Sequence, residues 1–272
     1  MIRLITDSNS QITPELRQRL RVVVVPMTVV IDGKPLLEGI DIDLEGITAA
    51  LHRGAAVSSS TPSPGQFLQA YQLAADDGAT EILSVHTGGE VSAVANAARV
   101  AAGMAPLPVE VVDTGSASFP VTMCTWVAGD LLAEGGSVKD AAEATRRTAA
   151  TVGNVFIVGT PALAAQGGRL AAGVEATGIP VLALADGAMR AVGRVTDVEQ
   201  AVDALAAYVV EQAAGKRLRI GVGHLDAVEL ADALEAVLRG CCEVEQLVRY
   251  DVGPSVAVHT GLGTVGCVFH PV

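Results

Sequence analysis

Aromatic residues are scarce in this chain: four Phe, three Tyr and one Trp, or 3% of 272 residues. Any core must therefore be built from Ala, Val, Leu and Ile, and with half the residues apolar there is ample material for one. Charge is also sparse, at 18% of residues, which excludes disorder driven by charge. Basic residues are the scarcer sign, 18 against 30 acidic, for a formal net charge of −12. That balance repels phosphate backbones and anionic headgroups, so neither nucleic acid nor a membrane surface is an expected partner.

Long hydrophobic runs are missing as well, although mean hydropathy is +0.43. The most apolar stretch, Val22 to Val25 followed by Pro26 to Ile31, is broken by proline. It falls well short of the ~20 residues of a membrane span. The opening Met1-Ile2-Arg3-Leu4-Ile5-Thr6-Asp7 reads as a strand entering a turn, without the basic and apolar regions of a signal peptide. The four cysteines (Cys124, Cys241, Cys242, Cys267) lack metal-ligand spacing, and the adjacent pair does not suit a disulfide framework. A cytoplasmic protein without stable membrane insertion is expected.

What the chain does have is alternation. Short β-branched runs (Arg3–Thr6, Val22–Pro26, Glu81–His86, Val109–Asp113, Val155–Gly159, Val181–Ala185, Arg219–Gly223, Val256–His259) are predicted strands. Between them Gly65–Asp76, Ser92–Gly103, Val138–Val152, Val198–Ala214 and Ala227–Leu238 have the pattern of amphipathic helices. Such alternation predicts an α/β protein, with antiparallel pairing entering in the last third. Two domains, 1–150 and 151–272, fit the length.

Three segments place hydroxyls and glycines at element ends. In Ser58-Ser59-Ser60-Thr61-Pro62-Ser63-Pro64-Gly65-Gln66, Ser63 is the predicted N-cap, with Pro64 at N1 and Gln66 closing a capping box. The hydroxyls before it are surplus to capping and suit either a solvated loop or an anion held at the helix start. After the strand ending at His86, Thr87-Gly88-Gly89-Glu90-Val91-Ser92 lies where open α/β sheets bind ligands. Ser92 there is an N-cap, a donor to a bound anion, or both. Gly261-x-Gly263-x-x-Gly266 matches a dinucleotide fingerprint, but only six residues follow it. No βαβ unit fits, which leaves His259 at a predicted strand end beside a glycine turn. Gln166-Gly167-Gly168-Arg169-Leu170 suggests a helix C-cap followed by an arginine facing a carboxylate, an anionic ligand or a partner. No G-x-S-x-G elbow, P-loop, H-E-x-x-H or C-x-x-C is present.

In order along the chain, these segments resemble the DegV family. Ile5-Thr6-Asp7-Ser8 is similar to its opening TDS, and Val25-Pro26 with Gly33 and Gly39-Ile40-Asp41 to its second strand and acidic hairpin. Ser59-Ser60-Thr61-Pro62-Ser63 resembles T-S-x-P-S, Val91-Ser92-Ala93-Val94 resembles L-S-G-T, and Val112-Asp113-Thr114 with Ala117-Ser118 resembles V-D-[ST]…S. Leu163 with Gly167-Gly168-Arg169-Leu170, Asp186-Gly187 with Arg194, and His259-Thr260-Gly261-Leu262-Gly263-Thr264 complete the series.

The resemblance implies two α/β domains, the first with a mainly parallel sheet, the second with a mixed or antiparallel sheet and helices. A ligand cleft would lie between them. It implies a fatty-acid carrier that needs no cofactor and presents its ligand to a separate fatty-acid kinase. The carboxylate ligands would be Ser59 or Ser60, Ser92 with the Ala93 N–H, and His259, while Arg169 would meet the phosphate or the kinase. Alternatives are a small hydrolase or acyltransferase using Ser92 or Ser60 with His259, and a carrier of another anionic lipid.

Overall fold

The computed structural model describes residues 1–166, 178–185 and 187–272. Its first sheet has strand order β2-β1-β6-β7, with β1 (Ile2–Asp7), β2 (Val23–Val25), β6 (Glu81–His86) and β7 (Val109–Asp113) all parallel. Parallel strands covered on both faces are buried along most of their length, and in β1 and β6 the apolar Leu4, Ile5, Ile82, Leu83 and Val85 share that burial with the polar Thr6, Asp7, Ser84 and His86. Helix α1 (Pro14–Leu20) links β1 to β2. Between β2 and β6 come β3 (Thr28–Ile31), β4 (Lys34–Leu37), α2 (Leu44–His52), β5 (Val57–Ser60) and α3 (Pro64–Asp76). These three strands form a small antiparallel sheet, β4-β3-β5.

Helices α3 and α4 (Val94–Ala102) cover one face of the parallel sheet, packing Phe67, Tyr71, Val94 and Ala98 on Ile5 and Ile82. Helices α5 (Phe119–Ala133) and α6 (Val138–Ala149) cover the other, over Leu4, Leu83, Val85 and Val112.

The second sheet is mixed, in the order β10-β9-β8-β13-β11-β12. It comprises β8 (Gly153–Ile157), β9 (Ile179–Ala185), β10 (Ala188–Val195), β11 (Leu218–Leu225), β12 (Val244–Asp251) and β13 (Thr264–Pro271). Only β11 and β12 pair in parallel. A short α7 (Pro161–Gln166) follows β8, and α8 (Glu199–Ala213) and α9 (Val228–Cys241) bury Leu205, Val209, Leu234 and Leu238 on the outer face of this sheet. Its inner face turns toward α5 and toward α10 (Pro254–Thr260). The expected architecture, a mainly parallel first sheet and a mixed second one, is the one observed.

Helix α5 joins the halves. Val121, Cys124 and Ala128 pack into the first sheet, while Phe119, Met123 and Trp126 pack against Leu225, Tyr250 and Val268 of the second half. Phe119 stacks on Tyr250 with ring centroids 4.2 Å apart. The sheet beneath must be flat for this: a Cβ at Gly221 would overlap the Phe119 ring, and one at Gly223 the Tyr250 ring. Among the described residues no helix is long and apolar enough to cross a membrane.

Candidate functional site

The predicted strand Val256–His259 is a helix. Two β-branched residues at alternate positions suggest a strand, but Gly253 is extended (φ −74°, ψ 176°) and Pro254 at N1 presets the first helical φ. The orphan N–H groups of this α10 start are taken by distant side chains. Ser255 N–H donates to Glu38 Oε1 at 2.9 Å, and Gly253 N–H donates to Gln11 Oε1. Because those partners come from the other half of the chain, no local pattern announces the helix. Its last turn carries His259. The glycine turn that follows leads into β13, antiparallel to both of its neighbours, as the failed dinucleotide reading requires.

His259 enters a cavity between the two sheets, about 1040 Å³ of space between atoms counted to its open side. Ser59, Ser60, Thr61, Ser92 and His259 all line it. Ser59 Oγ and His259 Nε2 share a hydrogen bond of 2.9 Å, and Thr61 Oγ1 and Ser92 Oγ share one of 3.1 Å. β5 sets this arrangement: Ser59, paired with Val29, is half-buried while Ser58 and Ser60 are exposed, the alternation of a strand covered on one side. Four of the expected ligand residues thus meet in one place.

Ala93 is not among the lining residues. Ala93 is exposed and stands immediately before α4 as its cap residue, with no side-chain cap bond. Ser92 is therefore not the N-cap: its N–H donates to Gly88 O (2.9 Å) and its hydroxyl faces Thr61. Ser63 does cap α3, with Gln66 completing the box. Glu90 is exposed and outside the lining. Arg169, with Gly167, Gly168, Leu170 and Asp186, lies outside the described residues.

Of the rest of the lining, Thr87, Ser118 and Thr260 stand in segments singled out in the sequence, though not as ligand residues, and the apolar wall was not anticipated. Phe156, Leu184, Met189, Val256 and Val268 supply apolar wall, and Asn9, Thr87, Ser118 and Ser255 supply further polar atoms. Apolar positions of this kind are indistinguishable in sequence from ordinary core. Asn9 and Thr87 carried a weak signal, since each follows the carboxyl end of a parallel strand. No described lining residue is Asp, Glu, Lys or Arg. Ser118 adopts φ 63°, ψ −151°, a region nearly reserved for glycine, and its N–H donates to Asn9 Oδ1 at 3.1 Å.

Behind the cavity floor runs a buried polar chain. His86 Nδ1 donates to Asp7 Oδ2 (2.9 Å), and Ser84 Oγ lies 2.6 Å from His86 Nε2 and 3.0 Å from the Tyr71 hydroxyl. Burial pushes the Tyr71 hydroxyl up to about 12, so it stays a donor and one set of protons satisfies the whole chain. Thr87 gives its N–H to Asp7 Oδ2 (3.0 Å), and its hydroxyl lies between Asp7 Oδ1 and Asn9 Oδ1 (2.9 and 3.2 Å).

Among the described residues Glu38 is the second buried carboxyl. It also accepts the Ser8 hydroxyl proton, and burial raises its pKa above the ordinary 4.5, with the Asp7 charge adding to the rise. A carboxyl with a folded pKa above its unfolded one penalises the native state once ionised, so its contribution improves as pH falls. The wild-type Tm, measured against that of Glu38→Gln, is accordingly expected to rise as pH is lowered from about 8 toward about 5. His224 and His270, whose pKa values burial lowers, pull the other way but equally in both proteins. A Tm difference that stays flat with pH would show that Glu38 does not titrate in this range.

Two α/β domains thus enclose a cavity with hydroxyls on part of its lining and apolar side chains on the rest. Comparison then supplies the family. The model described as "Uncharacterised protein, DegV family" matches residues 1–272, and the chain belongs to the DegV family. A DegV domain-containing protein of Streptomyces coelicolor is 32% identical over 273 residues, 98% of this chain and 97% of that one. A fatty-acid-binding DegV family protein from Thermus thermophilus superposes with TM-score 0.91 at 31% identity, covering 100% of this chain and 99% of the other. DegV from Bacillus subtilis, solved as a fatty acid binding protein, shares the fold at TM-score 0.90 and 21% identity, with 100% and 99% covered.

Proposed function

We propose that this protein is a carrier rather than an enzyme: it binds a long-chain fatty acid in the cavity and presents the carboxylate to a separate fatty-acid kinase in the cytoplasm. The observation that carries the reading is the division of the lining. Hydroxyls and one imidazole gather at Ser59, Ser60, Thr61, Ser92 and His259, while Phe156, Leu184, Met189 and Val268 offer apolar wall. Charge-assisted hydrogen bonds from hydroxyls contribute roughly 1.5–3 kcal/mol each. The acyl tail supplies most of the affinity, at ~0.8 kcal/mol per buried CH₂, which over about 16 carbons demands a long apolar path. The fatty-acid-binding relative from Thermus thermophilus supports the same ligand class.

Denaturing extraction of the purified, undelipidated protein followed by mass spectrometry tests this directly. A near-stoichiometric fatty acid is expected, and its mass gives the chain length. A different anionic lipid would keep the carrier and replace its ligand; an empty extract that no added fatty acid can fill overturns the reading.

A further inference from the structure

The adjacent cysteines have no part in the cavity, yet the fold brings their sulfurs together. On a continuing helix, successive side chains diverge by about 100°. Here α9 ends between them: Cys241 is its last residue, and Cys242 is extended at φ −120°, ψ 152°. That break leaves the two Sγ atoms 3.8 Å apart, with Cys241 exposed and Cys242 partly buried against the core beneath α9.

Two chemistries are open to such a pair, and the distances choose between them. An unstrained disulfide wants Cα atoms at least ~4.4 Å apart, whereas neighbours across a trans peptide are held at ~3.8 Å. A tetrahedral ion with metal–sulfur bonds of ~2.3 Å has an edge of ~3.8 Å, which the thiols already span. The C-terminal end of a 14-residue helix disfavours free thiolates, so both thiols ionise only as the cation binds; the nearby Arg239 is already paired with Glu235 at 2.9 Å.

We propose that Cys241 and Cys242 form a two-thiolate binding site for a thiophilic divalent cation of the zinc and cadmium class. No group of three or more His, Cys, Asp or Glu side chains among the described residues is placed to hold a metal. The two thiolates are therefore half of a tetrahedral shell, completed by water or a small thiol. Binding displaces both thiol protons, and the ion is neither oxidised nor reduced.

The probe is Cd²⁺ added to the reduced full-length protein, followed by thiolate-to-metal charge-transfer absorbance. One ion per chain is expected, with affinity at least about a hundredfold lower in both Cys241→Ser and Cys242→Ser. In the wild type, Cd²⁺ should also protect Cys241 and Cys242 from alkylation, read by peptide mass spectrometry without relying on any variant. Absence of the absorbance band, its persistence in either variant, or unprotected alkylation of this pair would overturn the proposal.

Discussion

Replacing Asp7 with alanine is expected to remove about 3–5 kcal/mol of folding stability, measured by urea unfolding. Asp7 is fully buried and accepts hydrogen bonds from His86 Nδ1 and from the N–H and hydroxyl of Thr87. Alanine leaves all three donors without that acceptor, in a region almost without exposed surface to rehydrate them. Against a total stability of roughly 5–15 kcal/mol, that is a large share. Asp7→Asn keeps a carbonyl acceptor and should lose less. A loss below about 1 kcal/mol for the alanine variant would mean that water replaces the carboxylate.

Ser84, His86 and Asp7 have the hydrogen-bond order of a hydrolase triad. All three are 0% exposed, and Phe67 packs edge-on against the His86 ring at 4.9 Å. A nucleophile that no substrate can reach is part of the scaffold. The two serines weighed for a hydrolase reading are Ser60 and Ser92, whereas the serine bonded to His259 in the cavity is Ser59.

The elements legible in sequence are those with local causes. β6 and β7 occupy the predicted residues, and α3 begins at its predicted Ser63 capping box. Helix α5 went unread because it is buried on both sides, Val121 and Cys124 facing one sheet and Phe119 and Met123 the other. An all-round apolar helix has no amphipathic stripe to detect. α10 was misread because its caps, Glu38 and Gln11, lie more than two hundred positions away in sequence. The candidate site divides similarly. Its hydroxyls stood out as surplus to capping, whereas its apolar wall is drawn from several strands and α10, at positions that read as ordinary core.

Replacing Ser92 with aspartate separates a carboxylate-holding site from one that takes a neutral head group. Ser92→Ala removes one charge-assisted hydrogen bond, so fatty-acid affinity should fall about tenfold or more. Ser92→Asp adds to that loss a second carboxylate beside the ligand's own. Two like charges about 4 Å apart repel by about 4 kcal/mol at an effective dielectric of 20, close to a thousandfold in affinity. No described lining residue is Lys or Arg, so no fixed cation of that lining is at hand to absorb the repulsion. The measurement is titration of both variants with a fatty acid and with its methyl ester. The acid should lose about tenfold in the alanine variant and at least a hundredfold more in the aspartate variant, while the ester, which carries no charge, should lose little further. Equal losses for acid and ester would place the carboxylate away from Ser92, and unchanged affinity in both variants would remove Ser92 from the site altogether.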